Sequence, residues 1–349
     1  MTIVDVTVRG AGIFGLSVAW ECLRRGARVR VIDPAGPGAG ASGGPVGAMA
    51  PHVPENWNPK KAFQRDSLLA AEGFWAEVAA TGGRDPGYAR TGRLQPVDDD
   101  AALDLARARE DTARTLWQGR ADWRVRRRRD AWDPPSATGW VVEDTLSARL
   151  APPAATDALA AAIMARGGEI AREGLDRGPV VWATGAAGLA DLSRAMGRPV
   201  GQGVKGQAAL LRLELPKDAP QLFVRGLHVV AHADGTVAVG STTERDFETA
   251  GGTDALLDDV IARARAAVPM LAEAAVLRRW AGLRPRARSR APILGAWPDR
   301  PGHFLANGGF KIGFGVAPGV ARVMADLVLD GADNIPDGFR VGDNLGPRR

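Results

Sequence analysis

A short apolar strand that runs into glycines at 10, 12 and 15 and then into a helix constrains this chain more than any other feature. Val4, Val6 and Val8 alternate as an extended segment, Gly10, Gly12 and Gly15 make a G-x-G-x-x-G turn, and Leu16, Ala19 and Leu23 recur at helical spacing. Gly26 closes that helix. A second strand over 27–32 ends on Asp33, about twenty residues beyond the turn, where a carboxylate can accept from both hydroxyls of an adenosine ribose. The glycines have separate tasks: Gly10 permits the tight turn, Gly12 lets backbone approach a pyrophosphate, and Gly15 lets helix pack on strand. Strand, turn, helix, strand and acid all fall where a dinucleotide-binding unit needs them. Arg9 departs from that pattern, because the last position of a strand covered on both faces is normally apolar. Either it reaches a phosphate or carboxylate, or the strand is less buried than the pattern implies.

At 349 residues the chain can bury one large core or two linked ones, and its 45% hydrophobic and 24% charged content is that of a globular protein. No run approaches the ~18 apolar residues of a membrane span, and the first strand begins directly after Met1 without room for a signal peptide, so a cytoplasmic protein is expected. Cys22 is the only cysteine and sits among the apolar positions of the first helix, which excludes disulfides and Cys-X-X-Cys chemistry within one chain. The net charge of +5 comes almost wholly from arginine and by itself selects no partner. His52, His228, His232 and His303 show no metal-ligand spacing, and no metal is expected.

Beyond Asp33, a glycine-, proline- and alanine-rich stretch through His52 is read as an ordered loop lining a cofactor, because small residues let backbone amides press against a flat ring system. Helices are expected over 59–80 and 99–116, with a strand between them ending in an acidic turn. The run Arg124 to Asp130 is either a solvated face or an anion-binding patch. A further helix after Pro152 and Pro153, capped by Thr156 or Asp157 and stopped by Gly167 and Gly168, returns the chain to the first layer. A buried strand over 180–183 then runs into a turn at Thr184 and Gly185. From Gly203 the pattern becomes two-residue alternation, with a hairpin at Asp234 and Gly235. A helix over 254–268, a strand, and a last helix ending at Gly331 complete the chain.

The fold class is therefore α/β: a Rossmann-like, discontinuous cofactor-binding domain over 1–55, 150–200 and 280–335. It is interleaved with a smaller α+β substrate domain over 56–149 and 201–279, built on an antiparallel sheet. Residues 336–349 read as a peripheral tail.

Between Val4 and about Gly331 the motifs GAGIFG with Asp33, GASGGPVGAMAPH, WATGAAG, PVGQGVKGQ, DGTVAVGSTTERDFE, WAGLRPRARSRAPILG and NGGFKIGFGVAP resemble the D-amino-acid oxidase superfamily of flavoproteins, in its glycine-oxidase-like branch. The loop GASGGPVGAMAP, with Asn58 and Pro59, is also similar to the oxidase half of the bifunctional tRNA wobble-uridine modification enzyme. The resemblance implies non-covalent FAD, a small amine or amino acid as substrate, oxidation of its C–N bond by hydride transfer, and oxygen as acceptor giving hydrogen peroxide. It assigns Gly10, Gly12, Ile13, Phe14 and Gly15 to the pyrophosphate and Asp33 to the ribose. Ala41, Ser42, Gly47, Ala48 and Met49 would line the diphosphate and isoalloxazine, and Thr184 and Gly185 would lie under the cofactor. Lys311, Ile312 and Gly313 would sit at the pyrimidine edge, where a positive end favours negative charge on the ring. Arg284 would take a substrate carboxylate as a two-pronged ion pair, and Arg284, His228, Lys311 and Met49 form the expected catalytic set.

Four departures from the family pattern stand out. His228 occupies a position where relatives place a tyrosine, and the sole tyrosine, Tyr88, lies elsewhere. Only about ten residues join the returning helix to the WATG strand, where relatives carry a small β-meander over the adenine. Lys311 replaces a frequent arginine and Gly309 a frequent histidine. Two alternatives remain open at this point: a tRNA-modifying oxidase, and a flavin-binding protein without amine turnover. No membrane partner is expected.

Overall fold

The computed structural model describes residues 5–345, so the expected strand position Val4 lies outside them. In chain order the elements are β1 (Val6–Arg9), α1 (Ile13–Arg24), β2 (Val29–Ile32), a 3-10 turn at Ala41–Gly43, β3 (Ala48–Met49), α2 (Pro59–Gly82), β4 (Arg93–Pro96), α3 (Asp100–Leu116), β5 (Trp123–Arg127), β6 (Trp140–Asp144) and β7 (Ala148–Arg149). They continue as α4 (Pro152–Ala165), β8 (Glu169–Ala171), β9 (Val180–Trp182), α5 (Gly185–Ala195), β10 (Gly201–Arg212), β11 (Gln221–Val224), β12 (Leu227–Ala231) and β13 (Thr236–Gly240). Last come α6 (Ala255–Ala267), β14 (Val276–Ala287), β15 (Ile293–Ala296), β16 (His303–Asn307), α7 (Gly313–Asp330) and α8 (Val341–Leu345).

Two large sheets carry the fold. The first has the order β15-β16-β9-β1-β2-β8 and is parallel except for β15. Because β1 is central and α1 packs between α4 and α7, helix α1 is apolar and buried on nearly every side from Ile13 to Leu23. Cys22 lies there, and burial pushes its thiol up to about 12, as fits a small core residue. The second sheet has the order β14-β10-β13-β12-β11-β4-β6-β5 and is antiparallel apart from the β11–β4 pair. A separate apolar core lies between this sheet and α6. This is the expected α/β architecture with an antiparallel second layer.

Local chemistry explains the helix ends. Asn58 accepts from Lys61 N at 3.1 Å ahead of Pro59, Asp99 accepts from Ala102 N at 2.7 Å, and Asp254 accepts from Leu256 N at 3.0 Å, so α2, α3 and α6 start on side-chain caps. Helix α4 corrects the expectation, since Ala151 is its cap residue and makes no side-chain cap bond. Thr156 is already inside the helix, its hydroxyl donating to Pro152 O at 3.2 Å and Pro153 O at 2.9 Å. Prolines at the first two helical positions lack N–H groups, so few donors there require a cap.

Two further placements differ from the sequence reading. The boundary expected at 280 falls inside β14, which pairs with β10 from Gly201↔Ala287 to Leu211↔Val276, so residues 280–287 run in the antiparallel sheet. The segment 336–345 is not peripheral: Phe339 is 1% exposed and meets the Phe63 ring edge-on at 5.0 Å, while its carbonyl accepts from Leu294 N. Residues 346–349 lie outside the described residues. The run from Arg124 to Asp130 is largely a solvated face, as one of its two expected readings has it, with Arg124, Arg127, Arg128, Arg129 and Asp130 exposed, and several of its cations have partners within the protein. Arg126 pairs with buried Asp133 and with Glu143, Arg127 stacks on Trp140 at 4.2 Å, and Arg128 donates to Asp133 O.

Candidate active site

The turn after β1 is held by steric fit and by two side chains from elsewhere. Gly10 has φ +105°, and a Cβ there would sit 2.3 Å from the Ala183 carbonyl oxygen at the end of β9. A Cβ on Gly15 would lie 1.9 Å from Gly10 O, so only glycine lets α1 approach the turn this closely. Asp33 accepts from Ala11 N at 2.8 Å through Oδ2 and from Ala35 N at 3.0 Å through Oδ1, which ties the end of β2 to the turn. Ser42 Oγ accepts from Ile13 N at 3.0 Å. The first helical rung of α1 is Leu16 N to Gly12 O, so the N–H groups of Phe14 and Gly15 stand outside the helical ladder at the positive end of its dipole.

This turn opens onto a cavity of about 1000 Å³ with walls from both sheets. Gly10, Gly12, Ile13, Phe14, Asp33, Ala41, Ser42, Ala48, Thr184, Gly185, Lys311 and Gly313 line it, as do Arg284 and His228. The fold thus gathers residues separated by some 300 positions in sequence. Four expected residues stand back from that wall. Gly15 acts from behind, as above, and Gly47 is buried where a Cβ would meet Leu150 O at 1.8 Å, so its smallness serves packing. Met49 and Ile312 instead line a smaller side cavity of about 190 Å³, which shares Ala48, Phe223, His228 and Lys311 with the large one.

Arg9 reaches a carboxylate. Its Nε donates to Asp176 at 2.6 Å, its Nη2 to Gly174 O at 3.1 Å, and its guanidinium lies 5.5 Å from the Trp182 ring centre. Through these contacts the short connection before β9 is fastened to the rim of the cavity. Trp182 in turn donates to His303 Nδ1 at 2.9 Å.

At the other sheet, Arg284 donates from Nη2 to Ser241 Oγ at 2.6 Å and from Nη1 to Thr242 O at 3.1 Å. Among the described residues no carboxylate forms an ion pair with it. Burial lowers its pKa to about 10, a pull that Glu244 partly offsets. Lys311 is lowered as well, by burial and by the positive charge of Arg284. His228 lies opposite Phe223 on β11 and Gly240 on β13, with its ring 4.8 Å from that of Phe223. Burial, then Arg93, Lys311 and Arg284, depress its pKa to about 3, so it is a neutral imidazole at ordinary pH. Two cations without an acid partner among the described residues, and a neutral polar ring, thus face one cavity, an arrangement that favours an anion.

Phe223, Ser241, Trp280 and Asn307 also line the cavity and were not among the expected site residues, although the last three lie in the stretches DGTVAVGSTTERDFE, WAGLRPRARSRAPILG and NGGFKIGFGVAP. Asn307 donates to Gly185 O at 3.0 Å and accepts from Gly308 N at 2.7 Å, which ties the turn after β9 to the turn after its neighbour β16. Phe223 could have been found from the register of the hairpin that carries His228. A Cβ on Gly309 would meet the Phe14 ring at 2.8 Å, so Phe14 takes the space that a side chain at 309 would need.

Comparison with known proteins decides the family. The profile of the DAO family, FAD dependent oxidoreductase, matches residues 5–327. The chain belongs to this family. It is 26% identical over 364 residues to the glycine oxidase of Geobacillus kaustophilus, covering 93% of this chain and 92% of that one. It is 26% identical over 356 residues to the bifunctional protein ThiO/ThiG of Nostoc, covering 93% of this chain and 53% of the longer protein. Among solved structures, glycine oxidase from Bacillus cereus superposes with a TM-score of 0.82 at 20% identity, covering 95% of this chain and 96% of that one. Iminodiacetate oxidase from Chelativorans superposes with a TM-score of 0.81 at 23% identity, covering 96% and 98%.

The protein is thus an FAD-dependent oxidoreductase of the glycine oxidase and ThiO type. The site fits the cofactor on its own terms. The close packing at Gly10 and Gly15, the N–H groups outside the helical ladder and the cavity volume are what a dinucleotide requires. Among the described residues no helix is long and apolar enough to cross a membrane.

Proposed function

We propose that the protein oxidises the C–N bond of a small amine or amino acid that carries a carboxylate, with oxygen as the final acceptor and hydrogen peroxide as product, in the cytoplasm. The observation that carries this reading is Arg284. Its half-buried guanidinium faces the cavity, is aimed by Ser241 and Thr242, and has no acid partner among the described residues. A planar guanidinium is suited to a carboxylate, because two parallel N–H groups match two oxygens.

FAD would be held without a covalent link by the turn at Gly10 to Gly15, by Asp33 and Ser42, and by the Thr184–Gly185 and Lys311–Gly313 segments; when bound, it supplies the two-electron acceptor. Arg284 binds and orients the carboxylate, so that the carbon bearing hydrogen is presented in one direction. The lone pair of a neutral amine drives C=N formation as the C–H bond breaks. Neutral His228 offers a hydrogen bond without placing a further charge beside Arg284 and Lys311. Met49 lines the side cavity, and Lys311 lines both cavities.

An anaerobic screen tests the reading. Flavin-loaded protein is mixed with glycine, sarcosine, D-amino acids and a wider amine library, and loss of the flavin's visible absorbance is followed. Bleaching by an amino acid, with peroxide formed on admitting air, is expected. Flavin that no amine reduces would favour a binding protein without turnover. For the tRNA reading, the exposed run Arg124 to Asp130 offers a basic face already reduced by the pairing of Arg124 with Asp122 and of Arg126 with Asp133 and Glu143. A salt-sensitive gel shift with tRNA would revive it.

A further inference from the structure

Strand β10 carries Lys205, Gly206 and Gln207 past β14, with Val204 opposite Arg284 and Gly206 opposite Gly282. Strand alternation sends position 206 to one face and positions 205 and 207 to the other. On the first face, Gly206 leaves the seat of the Arg284 guanidinium, since a Cβ there would lie 1.9 Å from Nη1.

On the second face, Lys205 is 2% exposed and its ammonium stands 3.2 Å from Asp254 Oδ2 and 3.5 Å from Glu244 Oε2. The Gln207 amide donates to the same two acids, to Asp254 Oδ1 at 2.8 Å and Glu244 Oε1 at 3.1 Å, and its oxygen accepts from Asp254 N at 2.9 Å. Backbone bonds reinforce this: Lys205 and Glu244 exchange N–H···O contacts at 2.9 Å, and Gln207 N donates to Thr242 Oγ1 at 2.8 Å. Segment 241–254 is therefore clipped to β10 near both of its ends. Its near end supplies Ser241 Oγ and Thr242 O, the two acceptors that hold Arg284, and Ala250 and Gly251 further along also line the cavity.

Burying an ammonium is a costly way to brace a loop, and an apolar side chain would brace it at lower cost. A charge is warranted if its task is to hold Glu244 in place beside Arg284. Without Lys205, Glu244 and Asp254 repel each other, the loop shifts, and a released Glu244 competes with any incoming carboxylate for the guanidinium.

We infer that Lys205 and Gln207 are positioning residues for substrate binding, setting segment 241–254 so that Ser241 and Thr242 aim Arg284 at a carboxylate. This rests on the reading of Arg284 as the carboxylate clamp.

The test uses flavin-loaded protein, with acetate titrated by its perturbation of the flavin spectrum and acetamide as the uncharged counterpart. Lys205→Met and Gln207→Met should each weaken acetate by about tenfold, as expected for coupled neighbours, and leave acetamide and FAD retention unchanged. With a turnover substrate the loss should appear in KM while kcat holds, and Lys205→Arg should recover most of it. A purely structural role would not separate acetate from acetamide. Should Lys205→Met fail to fold, Gln207→Met, which removes no charge, gives the answer. Acetate bound as tightly by Gln207→Met as by the parent, while Arg284→Ala loses it, would overturn the inference and leave the clamp standing. A parent that does not bind acetate, or an Arg284→Ala variant that binds it unchanged, would remove the clamp and the inference together.

Discussion

Adding one methyl group at Gly206 should disarm the site without touching a charged residue. The Cβ of Gly206→Ala would arrive 1.9 Å from Arg284 Nη1 and 2.1 Å from its Cζ, whereas ordinary contact begins near 3.4 Å. The guanidinium must therefore move by roughly 1.5 Å, and because it is the far end of a flexible side chain it can do so at little cost in stability. A displacement of that size takes an N–H···O contact from about 2.9 Å past the 3.5 Å limit of a useful bond. The substrate carboxylate then sits partly desolvated without its partner, a loss of about 2–5 kcal/mol. In kcat/KM this is about thirty- to several-thousand-fold. The assay is steady-state oxidation of whichever amino acid bleaches the flavin, with FAD affinity and melting temperature measured on the same variant. Both should stay near the parent values, and Arg284→Lys should recover only part of what Arg284→Ala loses, since an ammonium cannot make the planar double contact. Parent-like kcat/KM in Gly206→Ala, with Arg284→Ala impaired, would show that the seat of the guanidinium does not matter to catalysis. Parent-like activity in both would mean a substrate without a carboxylate.

Three further outcomes are expected. Asp33→Ala removes the acceptor that ties Ala11 N and Ala35 N to the turn, and should weaken FAD by about 1–3 kcal/mol, measured by quenching of flavin fluorescence on titration into apoprotein; unchanged affinity would show that the carboxylate serves only the loop. Phe339→Ala should cost about 3–5 kcal/mol in urea unfolding, because the ring is buried against Phe63, and a loss below about 1 kcal/mol would return the segment to a peripheral role. His228 is held neutral down to about pH 3 when folded but takes a proton near 6.5 when unfolded, so the unfolded state binds more protons in that window and stability falls as pH drops through it, by about 1.4 kcal/mol per unit; a His228→Asn variant with the parent's pH dependence between those limits would refute the assignment.

The strand, turn, helix and acid at the start of the chain were legible because each rests on local chemistry. Only glycine accepts φ +105° at Gly10, and only glycine admits the 1.9 Å approach at Gly15. The helix starts expected at 59, 99 and 254 rest on equally local chemistry, since the caps found at Asn58, Asp99 and Asp254 act within three residues of themselves. The cap expected at Thr156 or Asp157 failed for a local reason that composition hides, since two prolines had already removed N–H groups from the first turn of α4.

What tertiary structure decided are the relations between distant segments. Nothing in the periodicity of residues 280–287 says that they pair with β10 rather than enter the parallel sheet, because both are extended and apolar in alternation. Nor does the run from Arg124 to Asp130 announce that Asp133 and Glu143 neutralise Arg126. The buried tail residue Phe339 finds Phe63 across more than 270 positions of sequence. Arg284 is the sharpest case: a motif could name it, but its two acceptors lie some forty residues earlier and its seat is a glycine on the neighbouring strand. Local dihedral and capping preferences are written into short stretches of sequence, whereas the partner of a charge or an aromatic ring is chosen only when the sheets close and water is excluded between them.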